Sequence, residues 1–98
     1  MVEPAGFNAV KAALIDALQR GDFQHEARSK IEVKNLLAMG QISAADVVAV
    51  LKRSRGSAHQ TSAHHLDASI TVHVVTTSGW YIKFYFLDPQ TWFICVHE

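Results

Sequence analysis

Cysteine is nearly absent from this 98-residue chain, where Cys95 stands alone. An internal disulfide is therefore excluded, which fits a reducing compartment. Long apolar runs are absent too, since no stretch approaches the ~20 residues needed to span a bilayer. The opening Met1-Val2-Glu3-Pro4-Ala5-Gly6 lacks the basic-then-apolar layout of a secretory signal, so the expected address is the cytoplasm, with no membrane partner. Charge excess is missing as well: nine Lys and Arg balance nine Asp and Glu. That balance argues against a strong nonspecific nucleic-acid binder, which usually presents a basic surface. There is no internal repeat, low-complexity run or domain linker. Nor is there a Gly-rich phosphate loop, a paired-carboxylate pattern or a nucleophile elbow, so the best-marked enzyme motifs drop out.

What remains is a globular composition, 49% hydrophobic, long enough for one domain with a modest core. Its charges are unevenly spread. Lys52, Arg53 and Arg55 cluster at the end of a predicted helix, and five of the six histidines follow them. With an unperturbed histidine pKa near ~6.5, that half gains positive charge on mild acidification or beside a phosphate.

The first half has helical periodicity. Phe7, Val10, Leu14 and Ala17-Leu18 recur at helical spacing, with Asn8 as a cap and Gly21 as a stop. A second helix is expected from Ser29, with Glu32 completing a capping box, to Gly40; a start near Gln24 is also compatible. The third has the clearest start: Ser43 caps, Asp46 answers it, Ile42 can staple onto Val47, and Val47, Val48 and Leu51 form the buried stripe. Residues 54–68 are small and polar and predict a mobile loop, with room for a short strand near 61–68. Three strand-like stretches follow, Ile70 to Val75, Trp80 to Phe86 and Trp92 to His97, joined by short turns at Thr77-Ser78-Gly79 and around Asp88-Pro89. The expected fold is therefore α+β: about three helices over 7–53 packed on one face of a three-stranded antiparallel meander over 69–98.

In all three stretches the even-numbered residues are apolar, so the alternation of a strand sorts core from surface. Thr71, His73, Tyr81, Lys83, Tyr85 and His97 fall on the other face. Three-residue turns at 77–79 and 89–91 would set His73, Lys83 and His97 in one row; a two-residue shift would pair Lys83 with Cys95 instead. Cleaving RNA needs a base for the 2′-hydroxyl, an acid for the leaving 5′-oxygen and positive charge for the phosphorane. His73 and His97 can move protons, Tyr81 and Tyr85 can assist, and Lys83 can balance the charge. These five are the catalytic candidates. The bland counterpart is a half-exposed sheet whose polar residues keep it soluble.

Arg55, His59, Gln60, His64 and His65 in the polar segment are candidates for holding substrate phosphate. A zinc site there lacks a fourth ligand, and adjacent His64 and His65 diverge in an extended chain, so no metal and no cofactor is expected. Cys95 reads as a small buried hydrophobe rather than a nucleophile. Trp80, Trp92, Phe84 and Phe86 read as core, whereas Phe93 and Tyr85 could stack a base.

Helices followed by a meander, with Gly79-Trp80-Tyr81-Ile82-Lys83-Phe84 and a closing Phe93-Ile94-Cys95-Val96-His97-Glu98, resemble the RelE-like superfamily of bacterial toxins, and within it the MqsR group. The resemblance covers the last 20 or so residues. It implies a metal-independent endoribonuclease that cleaves messenger RNA and is neutralised by a cognate antitoxin. Tyr81 matches that group's catalytic tyrosine, and His97 stands where the group has a functional lysine. Gln60 or His59 falls where the preceding loop has another lysine. The chain departs from the group in these substitutions and in lacking its basic charge. A second class of function is a noncatalytic interaction module, binding a partner or a second copy by the sheet face or edge.

Overall fold

The computed structural model describes residues 6–26, 35–64, 66–87 and 90–98, apart from the Ser57 side chain. Helix α1 runs over Phe7–Arg20 and α2 over Ala44–Lys52. Strands β1 (Phe23–His25), β2 (His59–Ala63), β3 (Thr71–Thr77), β4 (Trp80–Leu87) and β5 (Gln90–His97) form one sheet in the order β1-β5-β4-β3-β2. The β1–β5 pair is parallel and the others are antiparallel. The expected three-stranded meander under about three helices is thus corrected to a five-stranded mixed sheet with two helices among the described residues. No helix among those residues is long and apolar enough to cross a membrane.

The two helices form where the pattern and the stop signals agree. Gly21 ends α1 in the left-handed region (φ 72°), so that the Asp22 N–H bonds the Ala17 carbonyl at 2.9 Å. Asn8 lies inside the first turn, and Gly6 is the residue before the helix. At α2, Ser43 Oγ accepts from the Asp46 N–H at 3.1 Å and Asp46 Oδ2 accepts from the Ser43 N–H at 3.3 Å, the reciprocal capping box. Lys11 Nζ donates to the carbonyls of Lys52 and Ser54, at 3.2 and 3.1 Å, and so ties α1 to the end of α2. Val10, Leu14 and Leu18 of α1 meet Val47, Val48, Val50 and Leu51 of α2 over Val75, Ile82, Phe84, Phe93 and Val96. Burying each such side chain contributes roughly 1.5–3 kcal/mol, so this helix-covered face is the main core.

The expected second helix does not form where it can be seen. Phe23–His25 is a strand beside β5, Asn35 bridges to Val96, and residues 36–40 are turn. Its proposed start, from Ser29 to Lys34, lies outside the described residues. The side chain of Asn35 explains the return of the chain: its amide N–H donates to His25 Nδ1 at 3.0 Å, while its Oδ1 accepts from Ala38 N–H. The segment expected to be a loop over 54–68 is also more ordered than its composition suggests, with a 3₁₀ turn at Gly56–Ala58 and then β2.

Two local features decide which side chains share a face. Thr77 pairs with Trp80, so the β3–β4 turn has two residues, Ser78 (φ 51°) and Gly79 (φ 81°), rather than three. Both left-handed positions suit the primed hairpin turn that matches strand twist. Between β4 and β5 the register slips by one at Lys83/Phe84, where an irregularity inserts an extra residue into β5. One residue is enough to exchange the faces of a strand.

Candidate functional site

The consequence is largest for His73. It pairs with Phe84, not Lys83, and faces the helices at 3% exposure. Its Nδ1 lies 3.0 Å from His59 Nε2, and the rings stack at 5.3 Å. The sheet row His73–Lys83–His97 is therefore corrected: His73 belongs to the core side and cannot act with the other two. Phe93 likewise faces the main core and is not a stacking platform, whereas Trp92 turns to the second face. Ile94 turns with it, so two residues expected in the main core are instead on the side expected to be polar.

On that second face, the odd-numbered residues of β4 form a line. Tyr85 sits opposite Val72 and Trp92, Lys83 opposite Val74 and Cys95, and Tyr81 opposite Thr76 and His97. The line has two unlike ends. At the first, Val72, Tyr85 and Ile94 are buried together, with Ile70, Trp92 and Cys95 packed around them. The Tyr85 ring lies parallel to Trp92 at 6.3 Å, and the edge of His64 meets it at 5.0 Å. Tyr85, expected to be catalytic, is thus a packed aromatic at 6% exposure.

His64 also leaves the substrate-binding set. Its Nδ1 accepts the Leu66 N–H at 3.0 Å, so in the neutral ring Nε2 carries the hydrogen and donates to Glu26 Oε1 at 3.1 Å. Glu26 follows β1 and His64 follows β2, so this pair joins the two opposite edges of the sheet above the Tyr85 cluster. Nothing in the sequence marked Glu26; its importance appears only once β1 is placed at the far edge.

At the other end, Tyr81, Lys83 and His97 are half-exposed. The Tyr81 and His97 rings stack at 5.1 Å with an 18° tilt. His97 Nδ1 lies 2.9 Å from the Glu98 carbonyl. A carbonyl only accepts, so Nδ1 carries the hydrogen in that contact and Nε2 of the neutral ring is left as the basic nitrogen. Lys83 is the next same-face residue from Tyr81, about 7 Å along the strand. Gln60 of β2 pairs with Val74, which pairs with Lys83. Gln60 therefore lies in the row of Lys83, two strands or about 10 Å away, and is exposed.

The other binding candidates are dispersed. His59 is on the helix side, its ring tilted 45° to that of Phe7 at 5.7 Å. Burial, and next the neighbouring His73, hold its imidazole below the ordinary value of 6.5. Arg55 is exposed in the turn that leads into β2, not on the sheet face. His65 lies outside the described residues. His59 and His64 therefore do not converge, His59 going to one face of the sheet and His64 to the other. What the second face brings together is a phenol, an imidazole with an oriented basic nitrogen, an ammonium and an amide. No protein-family model, curated protein or solved structure matches this chain.

Proposed function

We propose that this chain is a metal-independent endoribonuclease, a toxin of RelE-like, MqsR-like type, acting with Tyr81, Lys83 and His97. The observation that carries the reading is the Tyr81–His97 stack on the half-exposed end of the face that also holds Lys83. In this mechanism His97 Nε2 takes the proton from the 2′-hydroxyl, and the freed oxygen attacks the adjacent phosphorus. The Lys83 ammonium offsets the charge that builds on the phosphorane oxygens. As the bond from phosphorus to the 5′-oxygen breaks, the Tyr81 hydroxyl donates its proton to that oxygen. The products are a 2′,3′-cyclic phosphate and a 5′-hydroxyl. Gln60 contributes hydrogen bonds to a neighbouring nucleotide along the Lys83 row. Such an enzyme works in the cytoplasm on messenger RNA, and a cognate antitoxin that covers this face would silence it.

Expression in bacteria tests the reading. The parent chain should arrest growth and fragment total RNA, while a folded Lys83→Ala, His97→Ala double variant should do neither. Normal growth and intact RNA with abundant folded parent would refute it. One observation favours a noncatalytic interaction module as the second reading: the β2 edge is exposed from Gln60 to Ala63 and carries no charge. Under that reading the same double variant would be silent in both assays, as would the parent.

A further inference from the structure

The β2 edge differs from the edges that soluble sheets usually present. Strand edges are normally blunted by charge, proline, a bulge or a covering segment, because their outward N–H and C=O groups template another strand. Here Gln60-Thr61-Ser62-Ala63 has no charge and no proline, and all four residues are exposed. The opposite edge is treated differently: β1 is three residues long, and Asn35 bridges to Val96 beyond it.

The pairing fixes which groups point outward. The His64 N–H bonds the Ile70 carbonyl at 2.9 Å, and these two residues continue the β2–β3 register. In an antiparallel ladder hydrogen-bonded pairs alternate with non-bonded ones. Gln60, Ser62 and His64 therefore bond β3, and the main-chain groups of His59, Thr61 and Ala63 point away from the sheet. The His59 N–H is already taken by the Gly56 carbonyl. That leaves Thr61 and Ala63 as the template, each with its outward N–H and C=O without a partner among the described residues.

We infer that this edge pairs with the same edge of a second copy of the chain, antiparallel about a two-fold axis through Ser62. In that register Thr61 faces Ala63 of the second copy and Ala63 faces its Thr61, so every outward N–H and C=O of both residues finds a partner. A two-fold contact must be self-complementary, and an uncharged strand of small polar residues meets that condition without like-charge repulsion. The chain as a whole carries no net charge to oppose it. Five strands from each copy then continue as one sheet of ten. Because the axis is perpendicular to the sheet, the two Gln60–Lys83 rows open on the same side. The inference rests on the edge alone and stands or falls independently of the nuclease reading.

Sedimentation of the full chain, from micromolar to hundreds of micromolar, tests it. The parent should shift from monomer to dimer mass. Thr61→Pro should stay monomeric with an unchanged circular-dichroism spectrum, because proline there removes an outward N–H and no β2–β3 bond. A second variant guards against misfolding: Ser62→Cys in a Cys95→Ala background. Ser62 meets its own copy in a non-bonded pair, where Cα atoms lie about 4.5 Å apart, within disulfide reach. Mild oxidation should give a covalent dimer, and Gln60→Cys in the same background should not. A parent that stays monomeric throughout, a dimer untouched by Thr61→Pro, or equal cross-linking at positions 60 and 62 would each overturn the proposal.

Discussion

The two ends of the second sheet face use the same strands and the same alternation, yet they became different materials. Around Val72, Tyr85 and Ile94 the face is a small apolar core, closed above by the hydrogen bond between Glu26 and His64. Two to four residues further along β4, Tyr81 and Lys83 stay half-exposed beside His97. The difference lies in what reaches over the sheet. Residues flanking the two edge strands meet above the first end, and both ring nitrogens of His64 are used in holding that closure. At the second end His97 is held through one ring nitrogen, by Glu98 at 2.9 Å, and its ring stays half-exposed. A histidine and a tyrosine are thus packed away in one half of a face and half-exposed in the other, and residue type alone does not separate the two settings.

Substitutions should expose this contrast by what they cost. Ile94→Ala, at a residue 1% exposed, should have the largest effect, destabilising the fold by about 2–5 kcal/mol in urea titration. A loss no greater than that of an exposed position would mean that the Tyr85 end is not a core. His64→Ala comes next. It removes the His64–Glu26 hydrogen bond over the cluster and should cost about 1–3 kcal/mol, with hydrogen exchange quickening at the end of β2. Unchanged protection there would remove the edge-to-edge role of the pair. Lys83→Ala should change stability by no more than about 0.5 kcal/mol while removing RNA cleavage, the inverse of Ile94→Ala.

The smallest effect should come from acid. The folded pKa of His59 is depressed, by burial first and His73 second, and that of His25 is depressed by burial. A lowered imidazole pKa means the fold favours the uncharged ring. The resulting stability is whole above the unfolded value of 6.5 and is lost as pH falls through the lower folded value. The melting temperature should therefore decline on acidification below pH 6.5, and His59→Asn should make that decline shallower. Parallel curves for the two proteins would show that His59 does not contribute.

The two helices that form were legible because their signals are local, whereas the expected helix ending at Gly40 is turn over residues 36–40. The Ser43–Asp46 box and Gly21 act within a few residues, so the sequence displays both the cause and the effect. The last two strands and their antiparallel order were legible for the same reason. The faces were not, because β3 is apolar on both sides: Val75 enters the main core and Val72 the second cluster. Alternation loses its power where both faces are buried. The pairing then depended on whether the turn held Thr77, and the left-handed Ser78 and Gly79 make it a two-residue turn that turns His73 inward. The extra residue in β5 did the same for Phe93 and Trp92. Strand β1 is three residues long, too short for any period to show, and with it went the far edge and the partner of His64. Of the candidate site, Tyr81, Lys83, His97 and Gln60 share the second face, while His73, His59, Tyr85 and His64 were recruited for packing.

The most direct test of the central claim is the chemistry of the cut ends. Purified protein should cleave a single-stranded RNA in the presence of a metal chelator, leaving a 2′,3′-cyclic phosphate and a 5′-hydroxyl. Tyr81→Phe should slow the reaction, and Lys83→Ala and His97→Ala should stop it, all three retaining the parent melting curve. Cleavage that persists in the folded Lys83→Ala and His97→Ala variants, or ends bearing a 5′-phosphate, would contradict a nuclease site on this half of the sheet.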